Sequence, residues 1–345
     1  MRAAVLTAKQ SIQIIDQNQE KLTPREVRIK IGAGGICGSD LHYFHHYKMG
    51  DFPVREAFIL GHEAAGIVEE IGTEVENISI GDTVAINPSH PCQKCQYCLS
   101  GSELLCGEMR FLGSSRKFPH IQGMFSETFI IDQQQCFVMP KGISLNIAAF
   151  AEPLAVALHA INNAGSLLGA SILISGSGPI GGLILLAAKL AGAASVTMTD
   201  IRDGPLVVAK QIGADNVLNV ANGASDLIEP SHPRGRFDVA FEASGSKLAV
   251  LTAIQNLRPG GILIQVGTFL EPNVPVPADQ IMIKELTLKS SFRFDKEFAW
   301  AVDYLAQERI DVMPLLSHTF PMENANEAFL VASNRDKSMK VQLKF

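Results

Sequence analysis

The run Ile172-Leu173-Ile174-Ser175 leads straight into Gly176-Ser177-Gly178-Pro179-Ile180-Gly181, and a helical pattern follows at once. A lone G-x-G-x-x-G has many chance matches. Here a strand pattern precedes it, a helix pattern follows, and Asp200 ends the next strand, 24 residues after Gly176. The glycines permit a tight turn and let the backbone reach a pyrophosphate, whose charge the helix N-terminus favours. Gly176, Gly178, Pro179, Ile180 and Gly181 then form a phosphate cradle. Asp200 bonds ribose hydroxyls and repels a 2′-phosphate, which predicts NAD. Arg202 lies two residues on and could approach a phosphate, so NADP stays open.

The surroundings repeat the same rhythm. Strand patterns at 171–175, 195–199, 237–243, 262–266 and 286–290 alternate with helical ones, the clearest at 180–191. Such alternation indicates βαβ units and a doubly wound parallel sheet of the Rossmann type. The chain before Pro153 reads differently. Short runs such as Ala3-Ala4-Val5-Leu6 and Val27-Arg28-Ile29-Lys30-Ile31 have strand composition and are separated by Gly, Pro and Asn. That predicts a barrel-like β-rich domain over 1–152, the nucleotide domain over 153–292, and a return to the first domain over 293–345. At 345 residues, with 47% hydrophobic and 19% charged residues, the chain can build two cores.

Six cysteines are present, and four crowd into the spacing C-x2-C-x2-C-x7-C: Cys92, Cys95, Cys98 and Cys106. Four thiolates from one compact loop suit a tetrahedral zinc and leave no open position, so this zinc would be structural. An iron–sulfur cluster could use the same ligands, but the neighbouring dinucleotide fold favours zinc. Pro88, Pro91, Gly101 and Gly107 fit a loop rather than a helix. Cys136 stands apart as a buried thiol without an assigned role.

Three further residues could form a second metal site. Cys37 sits in Gly34-Gly35-Ile36-Cys37-Gly38-Ser39-Asp40, His62 in Gly61-His62-Glu63, and Glu152 before Pro153. Each alone has a plainer explanation, since a lone Cys is more often core and a Glu before Pro can cap a helix. Together they supply the S, N and O donors of a catalytic zinc that keeps one position open.

At this point a resemblance is plain. Gly61-His62-Glu63-x2-Gly66-x5-Gly72-x2-Val75 resembles the zinc signature of the medium-chain alcohol dehydrogenases. The cysteine lobe and nucleotide fingerprint follow in family order. Gly35-Ile36-Cys37-Gly38-Ser39-Asp40-Leu41-His42-Tyr43 and Glu152-Pro153-Leu154-Ala155-Val156 are similar to the polyol (sorbitol) branch. The resemblance implies a GroES-like catalytic domain beside the Rossmann domain, two zincs per subunit, and a homotetramer or homodimer. It implies Cys37 and His62 as zinc ligands, with Glu63 and Glu152 undecided between metal, water and exchange. It also places Val266, Gly267, Thr268, Phe292 and Arg293 near the nicotinamide. Polyol relatives usually carry an arginine where this chain has Pro205, which again leaves NADP open.

Stretches such as Met109-Arg110-Phe111-x-Gly113-Ser114 and Ser291-Phe292-Arg293-Phe294 are similar to the sugar-acid enzymes of that branch, which interconvert L-idonate and 5-ketogluconate. A sorbitol- or xylitol-type enzyme is the alternative, and a non-catalytic NAD- and zinc-binding protein a more distant one. A substrate carboxylate could pair with Arg293 or Arg110. Tyr43 could line the polyol pocket, and Ser39 and His42 could relay a proton from the substrate hydroxyl to water. His45, His46 and Tyr47 form a cluster in an expected loop, without an assigned partner.

Charge and hydropathy exclude other classes. The net charge is −6 and no Lys/Arg run occurs, which argues against nucleic acid and anionic membrane surfaces. The N-terminal ten residues lack a signal-peptide pattern. The most apolar segment, 180–190, contains Lys189 and falls short of the ~20 residues that span a bilayer. These features predict a cytoplasmic location.

Overall fold

The structure, a computed structural model, describes residues 1–224, 227, 234–269 and 273–345. Ten consecutive residues, Glu26–Gly35, form the central strand of the first unit. Val27, Ile29, Ile31 and Ala33 alternate into the core, the period expected of a strand with one buried face. Glu63–Ile71 pairs antiparallel along one edge, and Lys340–Lys344 and Thr128–Asp132 pair antiparallel along the other. Thr83–Ile86 and Cys136–Met139 extend this seven-stranded sheet outward, and Leu316–Pro321 closes its far side. One core gathers Val27, Ile29, Ile31, Val84 and Met124. A second gathers Phe44, Phe58, Phe125 and Phe329.

The second unit is a six-stranded, all-parallel sheet. Its spatial order is Asn216–Asn219, Ser195–Asp200, Ser171–Ser175, Phe237–Glu242, Leu257–Gln265, Thr287–Ser290. That is the 3-2-1-4-5-6 order of a dinucleotide-binding sheet, with the switch point between Ser171–Ser175 and Phe237–Glu242. Leu173, Phe237, Ala240, Val250, Ile254 and Leu263 pack one of its faces.

The units comprise Met1–Pro153, Phe298–Asn334 and Lys340–Phe345 on one side, and Leu154–Glu297 and Arg335–Met339 on the other. The return expected at residue 293 falls five residues later, and five residues near the C-terminus fold with the nucleotide unit. Glu297 explains the first difference. Its buried carboxylate accepts from Asn162 Nδ2 at 2.7 Å and from the Asp295 backbone N–H at 3.0 Å, and lies 3.2 Å from His159 Nδ1. Burial works to raise its pKa, but these partners win and hold it at about 2.

The folded pKa therefore lies below the unfolded value of about 4.3. The resulting stabilisation is present above about pH 4.3 and fades as pH falls toward 2; it is on the order of 2 kcal/mol. Glu297→Gln should lower the melting temperature at pH 7 and flatten its decline below pH 5. Parallel melting curves of wild type and variant from pH 7 to 3 would contradict this.

The segment Leu145–Ala164 is long and apolar enough to cross a membrane by composition, with a mean hydropathy of 1.3. Its window is 61% buried inside the protein, as core helices are. It is longer than the apolar helix Pro179–Leu190.

Candidate metal and nucleotide sites

Cys37 caps the helix Gly38–His46. Three residues on, Asp40 turns its carboxylate back and accepts the Cys37 N–H at 2.9 Å. Asp40 is fully buried. Its other oxygen is 3.4 Å from the Gly61 N–H and 3.6 Å from His62 Nδ1. Burial pushes the Asp40 carboxyl above its ordinary range, against the pull of His62. One carboxylate thus ties the Cys37 turn to the His62 loop, as partners of metal-binding histidines do.

The sulfur of Cys37, a ring nitrogen of His62 and a carboxylate oxygen of Glu63 all lie within 4.8 Å of one another. Sheet register brings them together, because Gly35 stands opposite Glu63. A Cβ at Gly35 would fall 2.1 Å from Glu63 Oε2, so only glycine leaves room for that carboxylate. Burial drives the Cys37 thiol up to about 11. A buried S, N, O donor set of this size fits a zinc ion, whose charge would offset the desolvation of the thiolate.

Two groups flank the cluster. Lys340 Nζ donates to both Glu63 oxygens, at 2.7 and 2.6 Å, and to the Ile36 carbonyl at 3.2 Å. Burial opposes its charge, but Glu63 more than reverses this and raises Lys340 above the usual lysine range. Glu152, in the first turn of Ala151–Ala164, is 5% exposed, and burial raises it to about 8. His62, Glu63, Cys37 and Lys340 all act on its charge, yet it stands outside the 4.8 Å cluster.

The four-cysteine lobe closes as its spacing requires. Its sulfurs also lie mutually within 4.8 Å, with Cys95–Cys98 at 3.5 Å and Cys92–Cys98 at 4.0 Å. A tetrahedron with Zn–S bonds of about 2.3 Å has S–S edges near ~3.8 Å. The Lys94 backbone N–H pulls Cys92 down to about 6, into the thiolate range at neutral pH. Against the expectation of pure loop, Gln96–Leu99 makes one helical turn, which brings Cys95 and Cys98 together. Cys136 lies elsewhere, in the strand Cys136–Met139, and burial lifts its thiol to about 12.

The helix Gly38–His46 carries Ser39 and His42 three residues apart on one face. The Ser39 side chain hydrogen-bonds Cys37, and the His42 ring stacks on His46 at 5.9 Å. His45 and His46 belong to this helix, not to a loop, because Phe44 beside them is fully buried. His45 Nε2 lies 2.6 Å from Ser333 Oγ. Tyr43 is a core residue, 4% exposed, edge-on to Phe58, with its hydroxyl accepting the Ser115 N–H at 3.1 Å. Arg110 is exposed and lines a hollow of about 530 Å³ with His90 and Asp132. Its chain neighbour Phe111 packs tilted against the His62 ring, with centroids 5.3 Å apart. The strand pair Arg110–Phe111 with Ser89–His90 carries both residues.

In the nucleotide unit, Gly176 has φ +97° and Gly181 lies in the first turn of the helix Pro179–Leu190. A Cβ at Gly181 would stand 1.9 Å from the Gly176 carbonyl, so the cradle closes only with glycine there. Asp200 accepts the Ser177 N–H at 2.8 Å and the Arg202 N–H at 3.1 Å. Gly178, Pro179 and Ile180 begin the helix as the motif demands. Val266 and Gly267 donate their N–H groups to the Glu242 carbonyl, both at 2.8 Å, and Thr268 follows them at the C-terminal end of the sheet. Buried Glu242 also takes Gln265 Nε2 at 2.6 Å and the Ser244 N–H at 2.8 Å. Phe292 and Arg293 follow the last strand, Thr287–Ser290. The Arg293 guanidinium sits 4.9 Å from the Phe292 ring centre, and its φ of +54° is a left-handed conformation that non-glycine residues seldom adopt.

Asp40, Lys340 and Glu242 were not singled out from sequence. Asp40 carried a signal, as the acidic third residue of a capped helix. Lys340 carried none, being 277 residues from its partner.

Residues 23–141 match the family model described as the alcohol dehydrogenase GroES-like domain, and residues 179–307 the one described as zinc-binding dehydrogenase. The L-idonate 5-dehydrogenase (NAD(P)(+)) of Escherichia coli is 39% identical over 344 residues, covering 100% of this chain and 98% of that protein. The sorbitol dehydrogenase of Bos taurus is 35% identical over 324 residues, covering 93% and 89%. The crystal structure of the Escherichia coli L-idonate 5-dehydrogenase matches with a TM-score of 0.91 at 39% identity, covering 100% of this chain and 98% of that one. With both clusters of metal-type donors, the nucleotide cradle and full-length similarity in agreement, this chain belongs to the family of zinc-dependent medium-chain alcohol and polyol dehydrogenases.

Proposed function

We propose that the enzyme interconverts L-idonate and 5-ketogluconate, with a nicotinamide dinucleotide as hydride partner. The observation that carries the reading is similarity along the whole chain to an L-idonate 5-dehydrogenase. The cluster of half-buried Cys37 with buried His62 and Glu63 supports the chemistry.

Cys37, His62 and Glu63 would hold the catalytic zinc, and Cys92, Cys95, Cys98 and Cys106 the structural one. When bound, the catalytic metal supplies Lewis-acid polarisation of a hydroxyl, and the nicotinamide supplies hydride exchange. Asp40 fixes the His62 ring, and Lys340 fixes the Glu63 carboxylate. Glu152 brings a carboxyl that burial raises to about 8, and a cation bound nearby would lower it. Ser39, in contact with Cys37, and His42, one turn on, form a path by which the hydroxyl proton leaves. Gly176 to Gly181 hold the pyrophosphate, and Asp200 the ribose. Arg293, kept in a strained backbone conformation at the end of the sheet, serves the substrate carboxylate.

Sorbitol- and xylitol-type oxidation is the second reading, favoured by the 35% identity to a sorbitol dehydrogenase. Nicotinamide absorbance with L-idonate or sorbitol, each with NAD or NADP, separates them. Strong turnover of L-idonate and weak turnover of sorbitol is the expected result. Preference for sorbitol would move the enzyme to the neutral-polyol reading and leave Arg293 without a carboxylate to hold.

A further inference from the structure

Five residues close to the C-terminus, Arg335–Met339, fold with the nucleotide unit rather than with the strands that flank them. They meet the expected dinucleotide cradle at three points. A guanidinium nitrogen of Arg335 lies 3.9 Å from where a Cβ of Gly178 would stand, over the glycine turn itself. The Asp336 carbonyl lies against Gly204, where a Cβ would come within 2.5 Å of it. The Asp336 carboxylate accepts from Arg202 Nη1 at 2.5 Å. Arg202 follows Asp200 by two residues, and its backbone N–H donates to the Asp200 carboxylate.

We propose that Asp336 is a specificity-determining residue for the dinucleotide, acting through Arg202. At the strand end that offers Asp200 to the adenosine ribose, Arg202 stands between the Asp200 and Asp336 carboxylates, with Arg335 over the glycine turn. While Asp336 holds Arg202, that guanidinium is spent on a protein carboxylate. A 2′-phosphate, with a charge of about −1.5 to −2 at neutral pH, then meets the Asp200 and Asp336 carboxylates without the Arg202 guanidinium to receive it. Released, Arg202 is a forked donor two residues from the strand end at Asp200, suited to a phosphate. The segment that brings Asp336 there thus sets the preference for the cofactor lacking that phosphate. Asp336 is a positioning residue, because it acts on Arg202 and not on the cofactor.

The inference rests on the dinucleotide reading above, and its test keeps the two apart. Dissociation constants of NAD and NADP are measured by quenching of protein fluorescence, without sugar substrate. The ratio of the NADP constant to the NAD constant should fall about five- to tenfold in Asp336→Asn. Asp336→Glu should restore it, and adding Arg202→Ala to Asp336→Asn should abolish the gain. The NAD constant should hardly move. Equal changes for both dinucleotides, or an unchanged ratio in a variant that melts like wild type, would overturn the proposal while leaving the dinucleotide reading intact. Failure of the wild type to bind either dinucleotide would overturn both.

Discussion

His62→Ala should reduce turnover on the preferred substrate by on the order of 10³-fold or more, because in the proposed site several kcal/mol of Lewis-acid stabilisation of the transition state would depend on a metal held in part by His62. His62 is 5% exposed, its Nδ1 faces Asp40 Oδ1 at 3.6 Å, and a ring nitrogen stands in one donor set with the Cys37 sulfur and a Glu63 oxygen. The variant should also lose one of the two zincs predicted by the two donor clusters, while the cysteine lobe keeps the other. Metal analysis and steady-state kinetics on the same preparation check both statements. Normal turnover, or full zinc content with unchanged activity, would remove His62 from the metal site. The fold should survive, since the side chain contributes little to either hydrophobic core.

Lys340→Met carries the second large effect, on stability. Lys340 is 3% exposed and Glu63 1%, and the lysine covers both carboxylate oxygens. Methionine fills similar volume but leaves a buried carboxylate without its counter-charge, which costs about 3–5 kcal/mol. Adding Glu63→Gln to Lys340→Met should recover part of that loss, because the unpaired charge is gone. The single variant should suffer more after chelation, since a zinc in the cluster partly replaces the missing cation. Urea unfolding of the two variants and wild type, with and without chelator, reads all of this. A single variant within 1 kcal/mol of wild type would show that water already screens the pair.

Both experiments concern residues of one site, yet only His62 was visible in the chain as text. Sequence alone fixed whatever is built within one loop or one strand–turn–helix. The glycine cradle and the four-thiolate lobe depend on spacings of two to eight residues, which backbone geometry converts directly into structure. The alternation of strand and helix patterns likewise implied the parallel sheet, because buried strands and amphipathic helices differ in hydrophobic period. Tertiary structure alone decided the rest. Antiparallel register set Gly35 against Glu63, and the return of Lys340–Lys344 beside Glu26–Gly35 delivered Lys340 to that carboxylate. The packing of Arg335–Met339 on the nucleotide unit brought Asp336 to Arg202. These contacts join residues 28 to 277 positions apart. Their partners are chosen by which surfaces must be buried together, and no local spacing records that choice.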